Sequence, residues 1–360
     1  MNSPRQLITH TKIASIYRVK DLAVKIVSTD HHIPPHNVQR ERRILRKLAV
    51  EPVNQGYGAH VIKLIEDQCK NSNIELWFKF YPIDLEDYLR SCFKPQNKFN
   101  PYYTLGEVLE TSLRSSYVNE FDVNEFAKDF FLQIVKGLNF IHQRGIIHRD
   151  IKPRNIVLEK LSTGKFNLVL IDFGISYDIT ETNIDERPDS KITDVSTSIY
   201  KAPELLFGVK NYSSAVDIWA VLVILSNFFS LASDCKNYLS SCFDDGYRPG
   251  EEDGSDIKLI FSIFEKFGVP TANEWPEVIN HGSSEVFNGF FGNSDTSRYI
   301  MKLSAVEQRQ IIASTFPRIE ELSDTKFKNK LYEILVKMAS YESTCRITAL
   351  EILQLLENNE

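Results

Sequence analysis

Two segments decide how this chain folds: HRDIKPRN at residues 148–155, and DFG at residues 172–174, which directly follows the apolar run at residues 168–171. The apolar run predicts a buried strand that ends at the DFG segment. Two further tripeptides occur in the same chain, AVK at residues 23–25 and APE at residues 202–204. Each tripeptide alone would be weak support, because such short strings occur by chance. Their combined order and spacing makes the pattern specific.

This order and spacing resembles the signature of the protein kinases. The resemblance implies the α+β, bilobal protein-kinase fold, in which a small β-rich N-lobe with one main helix precedes a larger, mainly helical C-lobe. Residues 1–81 are then the N-lobe and residues 82–360 the C-lobe, with insertions at about 91–122 and 234–256. The second insertion ends in an acidic stretch containing Gly and Pro, which predicts a surface loop that is either solvated or used to dock a partner.

Local patterns in the sequence agree with a β-rich start and a helical remainder. β-Branched residues around a turn near Lys20 predict two strands, and two more strands are expected before residue 82. Apolar residues at helical spacing predict an amphipathic helix in each lobe and one helix that is apolar all round. That last helix is too short to cross a bilayer, so we expect it in the core. The predicted strands are Ile13–Val19, Leu22–Val27, Val61–Ile65 and Ile74–Phe80, and the predicted helices are Asn37–Leu48, Phe126–His142 and Ile218–Leu231.

Composition argues against several other classes of protein. The 360 residues are 42% hydrophobic and 25% charged, which is enough apolar material for a large core and too much for a disordered chain. The net charge of -6 argues against a nucleic-acid partner. The five cysteines are scattered and form no CxxC pair, so neither a zinc site nor a disulfide framework is indicated. No signal peptide and no membrane partner are expected, and we expect the protein in the cytoplasm, the nucleus or both.

The resemblance assigns the chemistry of phosphoryl transfer to five side chains. Asp150 accepts or orients the hydroxyl proton of the protein substrate, and Lys152 neutralises the γ-phosphate. A lysine at this place is the pattern of serine/threonine kinases rather than tyrosine kinases. Lys25 holds the α- and β-phosphates of ATP and is itself held by Glu41. Thr197 lies where such kinases place a threonine that contacts the catalytic aspartate and lysine.

The same resemblance implies ATP and Mg²⁺ as cofactors. Asn155 and Asp172 are the expected metal ligands, and both supply the hard oxygen atoms that Mg²⁺ prefers. The backbone of the hinge from Phe80 to Ile83, which includes Tyr81, is expected to bond adenine. Phe78 is expected to close the back of that pocket.

Two buried contacts are also implied by the resemblance. Asp217 resembles the aspartate that anchors the backbone of the catalytic loop, and Arg346 resembles the arginine that pairs with Glu204. Taken alone, an arginine so late in the chain would be interpreted as a surface residue.

Within the protein kinases the chain is similar to the cyclin-dependent group, and inside that group to the monomeric CDK-activating kinases of budding yeasts. Residues 35–41, PHNVQRE, line up with the PSTAIRE-type helix of the group. The resemblance implies that the substrate is the activation-loop threonine of a cyclin-dependent kinase, recognised in the folded target. The helix otherwise diverges, so no cyclin partner is expected and the chain is predicted to be a monomer. Further similar segments are residues 33–37, 100–103, 172–178, 199–204, 206–210 and 256–276.

One feature departs from ordinary protein kinases: no glycine occurs before Gly56, so a glycine-rich phosphate-binding loop is missing. Residues 9–17, THTKIASIY, take its place. Glycine matters there because backbone N–H groups approach phosphate most closely where no side chain intervenes. A lost hydrogen bond to phosphate costs about 1.5–3 kcal/mol, or roughly tenfold or more in ATP affinity. The CDK-activating kinases of budding yeasts share this absence.

Activation of the chain by phosphorylation of its own loop is not expected. In cyclin-dependent kinases three arginines hold a phosphothreonine. Arg40 and Arg149 match two of them, whereas Tyr177 stands at the third position and Ile192 replaces the threonine. In place of a phosphate group, the carboxylate of either Asp189 or Asp194 is expected to pair with Arg149.

Two other interpretations stay open. An active kinase of the same group would act on other substrates, and a non-catalytic pseudokinase would serve as a scaffold. The missing glycine-rich loop favours the scaffold. The enzyme is favoured by the intact set of Lys25, Glu41, Asp150, Asn155 and Asp172. Replacing Asp150 by Asn separates the two, because only an enzyme would lose phosphoryl transfer while keeping its partners.

Overall fold

The computed structural model of the chain describes residues 4–29, 33–50, 58–95, 117–181, 186–233, 239–247, 254–292 and 298–357. Residues 100–103, Cys235, most of the first predicted insertion and about half of the second lie outside these ranges. The other four cysteines are free thiols. A β-sheet and one helix are built from residues 6–79, and mainly helical elements follow.

A five-stranded antiparallel sheet forms the first part of the structure. Its strands are β1 (Gln6–His10), β2 (Ala14–Val19), β3 (Leu22–Ser28), β4 (Glu66–Lys70) and β5 (Asn73–Lys79), in the order β1-β2-β3-β5-β4. Lys20 takes a left-handed conformation (φ 56°) in the tight turn between β2 and β3, as the predicted turn requires. The register places Lys25 opposite Ile16 on β2 and Leu76 on β5, so this residue lies on the central strand of the sheet.

The predicted strand at Val61–Ile65 is wrong, because the fourth strand is the polar segment Glu66–Lys70. Val61, Ile62 and Leu64 instead enter the core, whereas Ile65 is exposed. Ile62 N–H donates to Leu170 O at 2.9 Å. The strand β4 lies at the edge of the sheet and is largely exposed on both faces. Because an exposed edge strand shows no alternation of apolar and polar residues, the sequence pattern predicted the strand in the preceding apolar segment, residues 61–65.

One helix, α1 (Val38–Val50), follows the first three strands and confirms the helix predicted at Asn37–Leu48. The Asn37 side chain accepts a hydrogen bond from Arg40 N–H at 2.9 Å, which satisfies a free amide of the first turn. The helix buries its apolar face, including Ile44 and Leu45, and it also buries two charged residues, Arg40 and Glu41. Buried charges need partners, so this helix is held by more than apolar packing.

The remainder of the described chain is mainly helical. A π-helical turn, Val123–Ala127, precedes the helix predicted to begin at Phe126. The helices are α2 (Leu85–Cys92), α3 (Lys128–His142), α4 (Pro203–Leu206), α5 (Ala215–Phe229), α6 (Asp256–Phe267), α7 (Pro276–His281), α8 (Ser284–Phe291), α9 (Ala305–Thr315), α10 (Thr325–Met338) and α11 (Ala349–Glu357). The short strands are β6 (Ile83–Asp84), β7 (Phe93–Pro95), β8 (Tyr117–Asn119), β9 (Ile146–Ile147), β10 (Ile156–Lys160), β11 (Phe166–Leu170), β12 (Tyr177–Asp178) and β13 (Ala232–Ser233).

The helix α5 lies at the centre of this second part, and every one of its residues is buried. This confirms the core helix predicted from the apolar run at Ile218–Leu231, although the helix ends at Phe229 and Leu231 is exposed. Within the ranges that the structure describes, no helix is both long and apolar enough to span a membrane.

The predicted pair of Arg346 and Glu204 is confirmed as a bidentate ion pair, with N–O distances of 2.6 and 2.9 Å. Both side chains are 0% exposed. The same guanidinium donates to the carbonyl oxygens of Ser340 at 2.8 Å and Ala215 at 3.0 Å. The arginine therefore joins α4, the start of α5 and the segment before α11.

We predict that Arg346→Leu lowers the free energy of unfolding by about 3–5 kcal/mol, because it leaves the Glu204 carboxylate buried without its partner. Denaturant unfolding at neutral pH measures the effect. Arg43→Leu is the matched control, since Arg43 is 51% exposed in its ion pair with Glu181 and is expected to change stability by less than about 1 kcal/mol. Equal losses in the two variants would contradict this account.

Candidate active site

A buried aspartate fixes the loop that carries the HRD segment. Asp217 on α5 accepts hydrogen bonds from the backbone N–H groups of His148 at 2.9 Å and Arg149 at 2.8 Å, and from the His142 side chain at 2.9 Å. Burial alone would raise the pKa of Asp217, but the His142 ring and these amides hold it below its usual range. Arg149 has a left-handed backbone (φ 69°), which the two anchored amides stabilise. The predicted anchoring role of Asp217 is confirmed.

Four of the predicted site residues form one network around Asp150. Thr197 Oγ1 donates to Asp150 Oδ1 at 2.8 Å, and Asn155 Nδ2 donates to Asp150 Oδ2 at 2.8 Å. The ammonium of Lys152 lies 2.9 Å from Asp150 Oδ2 and 2.7 Å from Thr197 Oγ1. The carboxylate is therefore fixed by three neighbours, and a cation lies directly beside it.

A second group joins the sheet to the DFG segment. Lys25 Nζ lies 2.7 Å from Glu41 Oε1 and 2.7 Å from Asp172 Oδ1. Burial would lower the pKa of Lys25, but Asp172 and Glu41 raise it well above its usual value. Burial would likewise raise the pKa of Asp172, yet the ammonium of Lys25 holds it far below its usual range. The lysine is therefore charged and Asp172 is ionised across the physiological pH range.

The hairpin of β10 and β11 brings the two groups together. Ile156 pairs with Leu170 across the hairpin, and Ile171 N–H donates to Asn155 O at 2.9 Å. Asn155 and Asp172 therefore leave the hairpin at the same end. Their amide and carboxylate oxygens are hard ligands of the kind that Mg²⁺ prefers, so this pair fits a magnesium ion carried by a nucleotide.

The adenine contacts expected of the hinge backbone stay predictions. Phe78 lies on β5 opposite Ala23 and is partly buried, as a residue at the back of a pocket would be. The N–H of Phe80 donates to Asp21 O at 2.9 Å, so this one amide of the hinge is engaged within the chain. The amide of Tyr81 has no hydrogen bond to the described residues and stays the candidate donor.

The turn between β1 and β2, where kinases usually carry glycines, is closed by Thr11. Its N–H donates to Ala14 O at 2.9 Å, while its Oγ1 accepts from Ile13 N–H at 3.3 Å and Ala14 N–H at 3.1 Å. A threonine side chain thus replaces glycine as the element that shapes the turn. Three backbone amides of the turn are engaged within it.

Sequence reasoning missed the carboxylate that neutralises the two buried arginines. Glu186 forms a bidentate pair with Arg149 at 2.6 and 3.0 Å and also accepts from Arg40 at 2.7 Å. The expectation that Asp189 or Asp194 pairs with Arg149 is therefore wrong. Asp189 is exposed, and Asp194 lies 3.3 Å from the ammonium of Lys201.

The surroundings of Glu186 reproduce the contacts of a bound anion. Its carboxylate also accepts from Ile192 N–H at 2.9 Å, and Ile192 is the residue that replaces the threonine of the cyclin-dependent kinases. Burial would raise the pKa of Glu186, but Arg149 and the other donors hold it below its usual range. No local pattern could have singled out this residue, because the preceding loop contains several acidic side chains at similar spacing.

Comparisons with known proteins agree with this geometry. A family model described as "Protein kinase domain" matches residues 8–356. Serine/threonine-protein kinase CAK1 of Saccharomyces cerevisiae is 39% identical over 361 residues, covering 98% of this chain and 96% of CAK1. Cyclin-dependent kinase D-1 of Arabidopsis thaliana is 30% identical over 221 residues, covering 61% of this chain and 42% of that protein.

A solved structure also matches over nearly the whole chain. A chain in the CAK complex of Chaetomium thermophilum bound to ATP-γ-S aligns with a TM-score of 0.65 and 20% identity, covering 98% of this chain and 90% of that chain. At this level of identity the match speaks for the fold alone. With the family model spanning almost every residue and the site assembled as described, the chain belongs to the protein kinase family and is a serine/threonine protein kinase.

Proposed function

We propose that this kinase is a CDK-activating kinase, which transfers the γ-phosphate of ATP to the activation-loop threonine of a cyclin-dependent kinase. The observation that carries the proposal is the 39% identity to CAK1 over 98% of the chain. The match to a chain of a CAK complex supports a common fold. The anchored network around Asp150 supports transfer to a hydroxyl group.

The proposed mechanism uses the two groups of side chains described above. The substrate hydroxyl donates a hydrogen bond to Asp150, whose carboxylate accepts the proton as the oxygen attacks the γ-phosphorus. The bond from that phosphorus to the β–γ bridging oxygen breaks, and ADP leaves. Lys152 lies beside this carboxylate and offsets the negative charge of the transferring group. Lys25, positioned by Glu41, holds the α- and β-phosphates. The hydroxyl group of Thr197 contacts both Asp150 and Lys152 and so fixes their relative positions.

Asn155 and Asp172 would hold Mg²⁺ bound to ATP. The chemistry that the ion supplies when bound is neutralisation of the phosphate charge. The contribution of the chain is to present two oxygen ligands from the same end of one hairpin.

We further propose that the enzyme acts as a monomer without a cyclin. The pair of Lys25 and Glu41 forms within the single chain, at 2.7 Å. Arg40 on the same helix is held by Glu186 at 2.7 Å. The helix α1 therefore has its charged residues satisfied by contacts inside the chain, which supports activity without a partner that repositions it.

Glu186 supports activity without phosphorylation of the loop. A phosphothreonine would bring negative charge to Arg40 and Arg149, and Glu186 already supplies it. A glutamate carries less charge than a phosphate group but is present as soon as the chain folds.

The purified chain with Mg-ATP and an unphosphorylated cyclin-dependent kinase is expected to phosphorylate the target on its activation-loop threonine, mapped by mass spectrometry. Asp150→Asn is expected to lower the rate by about 10²- to 10⁴-fold while ATP and target binding persist. Asp189→Asn, an exposed change in the same loop region, is the control and should leave the rate unchanged. Phosphorylation of a panel of other proteins but not of this target would refute the proposed substrate.

Recognition of the folded target predicts a second difference. A short peptide with the sequence around the acceptor threonine is expected to show a much lower kcat/KM than the intact kinase, because most contacts with a folded surface are then missing. Steady-state assays on both substrates measure this ratio. Equal efficiency on both would contradict recognition of the folded protein.

Glu186→Gln keeps the size of the side chain but removes its charge. We expect the free energy of unfolding at pH 7 to fall by about 3–5 kcal/mol, because two buried guanidinium groups lose their counter-charge. The pKa of Glu186 is lowered in the fold, so its stabilising effect is present above the unfolded value of about 4.3 and is lost as the pH falls through the folded value. Unfolding curves should therefore converge for the two proteins in acid, and a pH-independent gap would contradict the pairing.

Treatment of the wild-type enzyme with a broad-specificity phosphatase is expected to leave its kinase activity unchanged, since Glu186 supplies the required charge. Activity is measured after removal of the phosphatase, and a mock-treated sample is the control. A loss of activity that is restored by rephosphorylation would refute this independence.

A further inference from the structure

The missing glycines leave the terminal phosphates of ATP short of hydrogen-bond donors. The amides of Thr11, Ile13 and Ala14 are all engaged within the β1–β2 turn. An amide that is already donating cannot also cradle a phosphate without breaking that bond. Of the four amides from Thr11 to Ala14, only that of Lys12 makes no hydrogen bond within the described residues, so the turn offers few donors and a further donor from another part of the chain would strengthen phosphate binding.

The imidazole of His36 lies beside the side chains that would surround the phosphates. A Cβ atom placed on Gly174 would be 3.5 Å from His36 Nδ1, 3.2 Å from Asp172 Oδ1 and 3.3 Å from Lys25 Nζ. The three polar atoms therefore surround a single point at the DFG segment. The charges of Asp150 and Lys152 also act on the ring.

The backbone around His36 is held on both sides. Asn37 N–H donates to Gly174 O at 3.1 Å, and His36 N–H donates to Ile33 O at 2.9 Å. Arg40, itself fixed by Glu186, donates to Pro35 O at 2.7 Å. The position of the imidazole is therefore coupled to the DFG segment and to α1.

The imidazole itself is uncommitted. The ring makes no hydrogen bond to any residue that the structure describes, and the side chain is only partly buried. An imidazole carries at least one N–H donor in either protonation state. The ring thus offers a second donor beside Lys25 at this point.

We propose that His36 is a phosphate-binding residue, whose ring N–H donates a hydrogen bond to the γ-phosphate of ATP and so supplies part of what a glycine-rich loop supplies in other kinases. The γ-phosphate is the group assigned because the ring lies beside Asp172 and Lys25, and the charges of Asp150 and Lys152, which are proposed to flank that phosphate, also act on it. The inference rests on the proposed ATP site and is independent of which protein is the substrate.

Calorimetric titration of the full chain with Mg-ATP and with Mg-ADP tests the proposal, because only ATP carries the γ-phosphate. His36→Ala is expected to weaken ATP binding by about 10- to 100-fold and to leave ADP binding within about twofold. His36→Gln retains an N–H donor and is expected to restore part of the ATP affinity. His281→Ala, an exposed histidine at the end of α7, is the matched control.

Equal weakening of ATP and ADP in His36→Ala would overturn the proposal, as would unchanged binding of both nucleotides. Thermal unfolding of each variant without nucleotide identifies any loss of fold, and the ATP-to-ADP affinity ratio of His36→Gln keeps the test decisive if His36→Ala does not fold. No protein substrate is present in these titrations. Failure of the enzyme to phosphorylate a cyclin-dependent kinase would therefore leave their outcome untouched.

Discussion

A buried carboxylate shared by two guanidinium groups is the contact on which the geometry of the active site depends. Arg40 lies next to Glu41 on α1, and Arg149 lies next to Asp150 in the catalytic loop. Glu186 binds both arginines, so it couples the helix residue that pairs with Lys25 to the loop residue proposed to receive the substrate proton. Because each of these charges would be costly to bury alone, the three groups are stable only as a set.

The parts of the structure that could be predicted are those with a short-range pattern. Apolar residues on every side of α5 predicted a core helix, and the spacing of the HRD and DFG segments predicted the neighbours of Asp150 and Lys25. Even the distant pair of Arg346 and Glu204 could be predicted, because both stand at fixed places in the kinase pattern. For Arg346 only the family pattern pointed to the buried contact, because its local sequence is that of a surface residue.

The parts that could not be predicted depend on contacts between distant segments. The residues of Val61–Ile65 satisfy a strand pattern, yet three of them enter the core as an irregular segment and polar residues form the edge of the sheet. Glu186 is one of several acids in its loop, and only the folded chain shows which one reaches the arginines. The secondary-structure propensity of a segment carries no information on which distant segments compete for a contact with it.

The turn closed by Thr11 has a consequence for turnover. Three of its amides are bonded within the turn, so it lacks the freedom with which a glycine-rich segment folds over a bound nucleotide. When binding strength differs among related sites, the difference is expressed mostly in how fast the bound molecule leaves. Product ADP is then expected to dissociate rapidly, so its release should limit the turnover rate less than in kinases whose glycine-rich segment closes over the nucleotide.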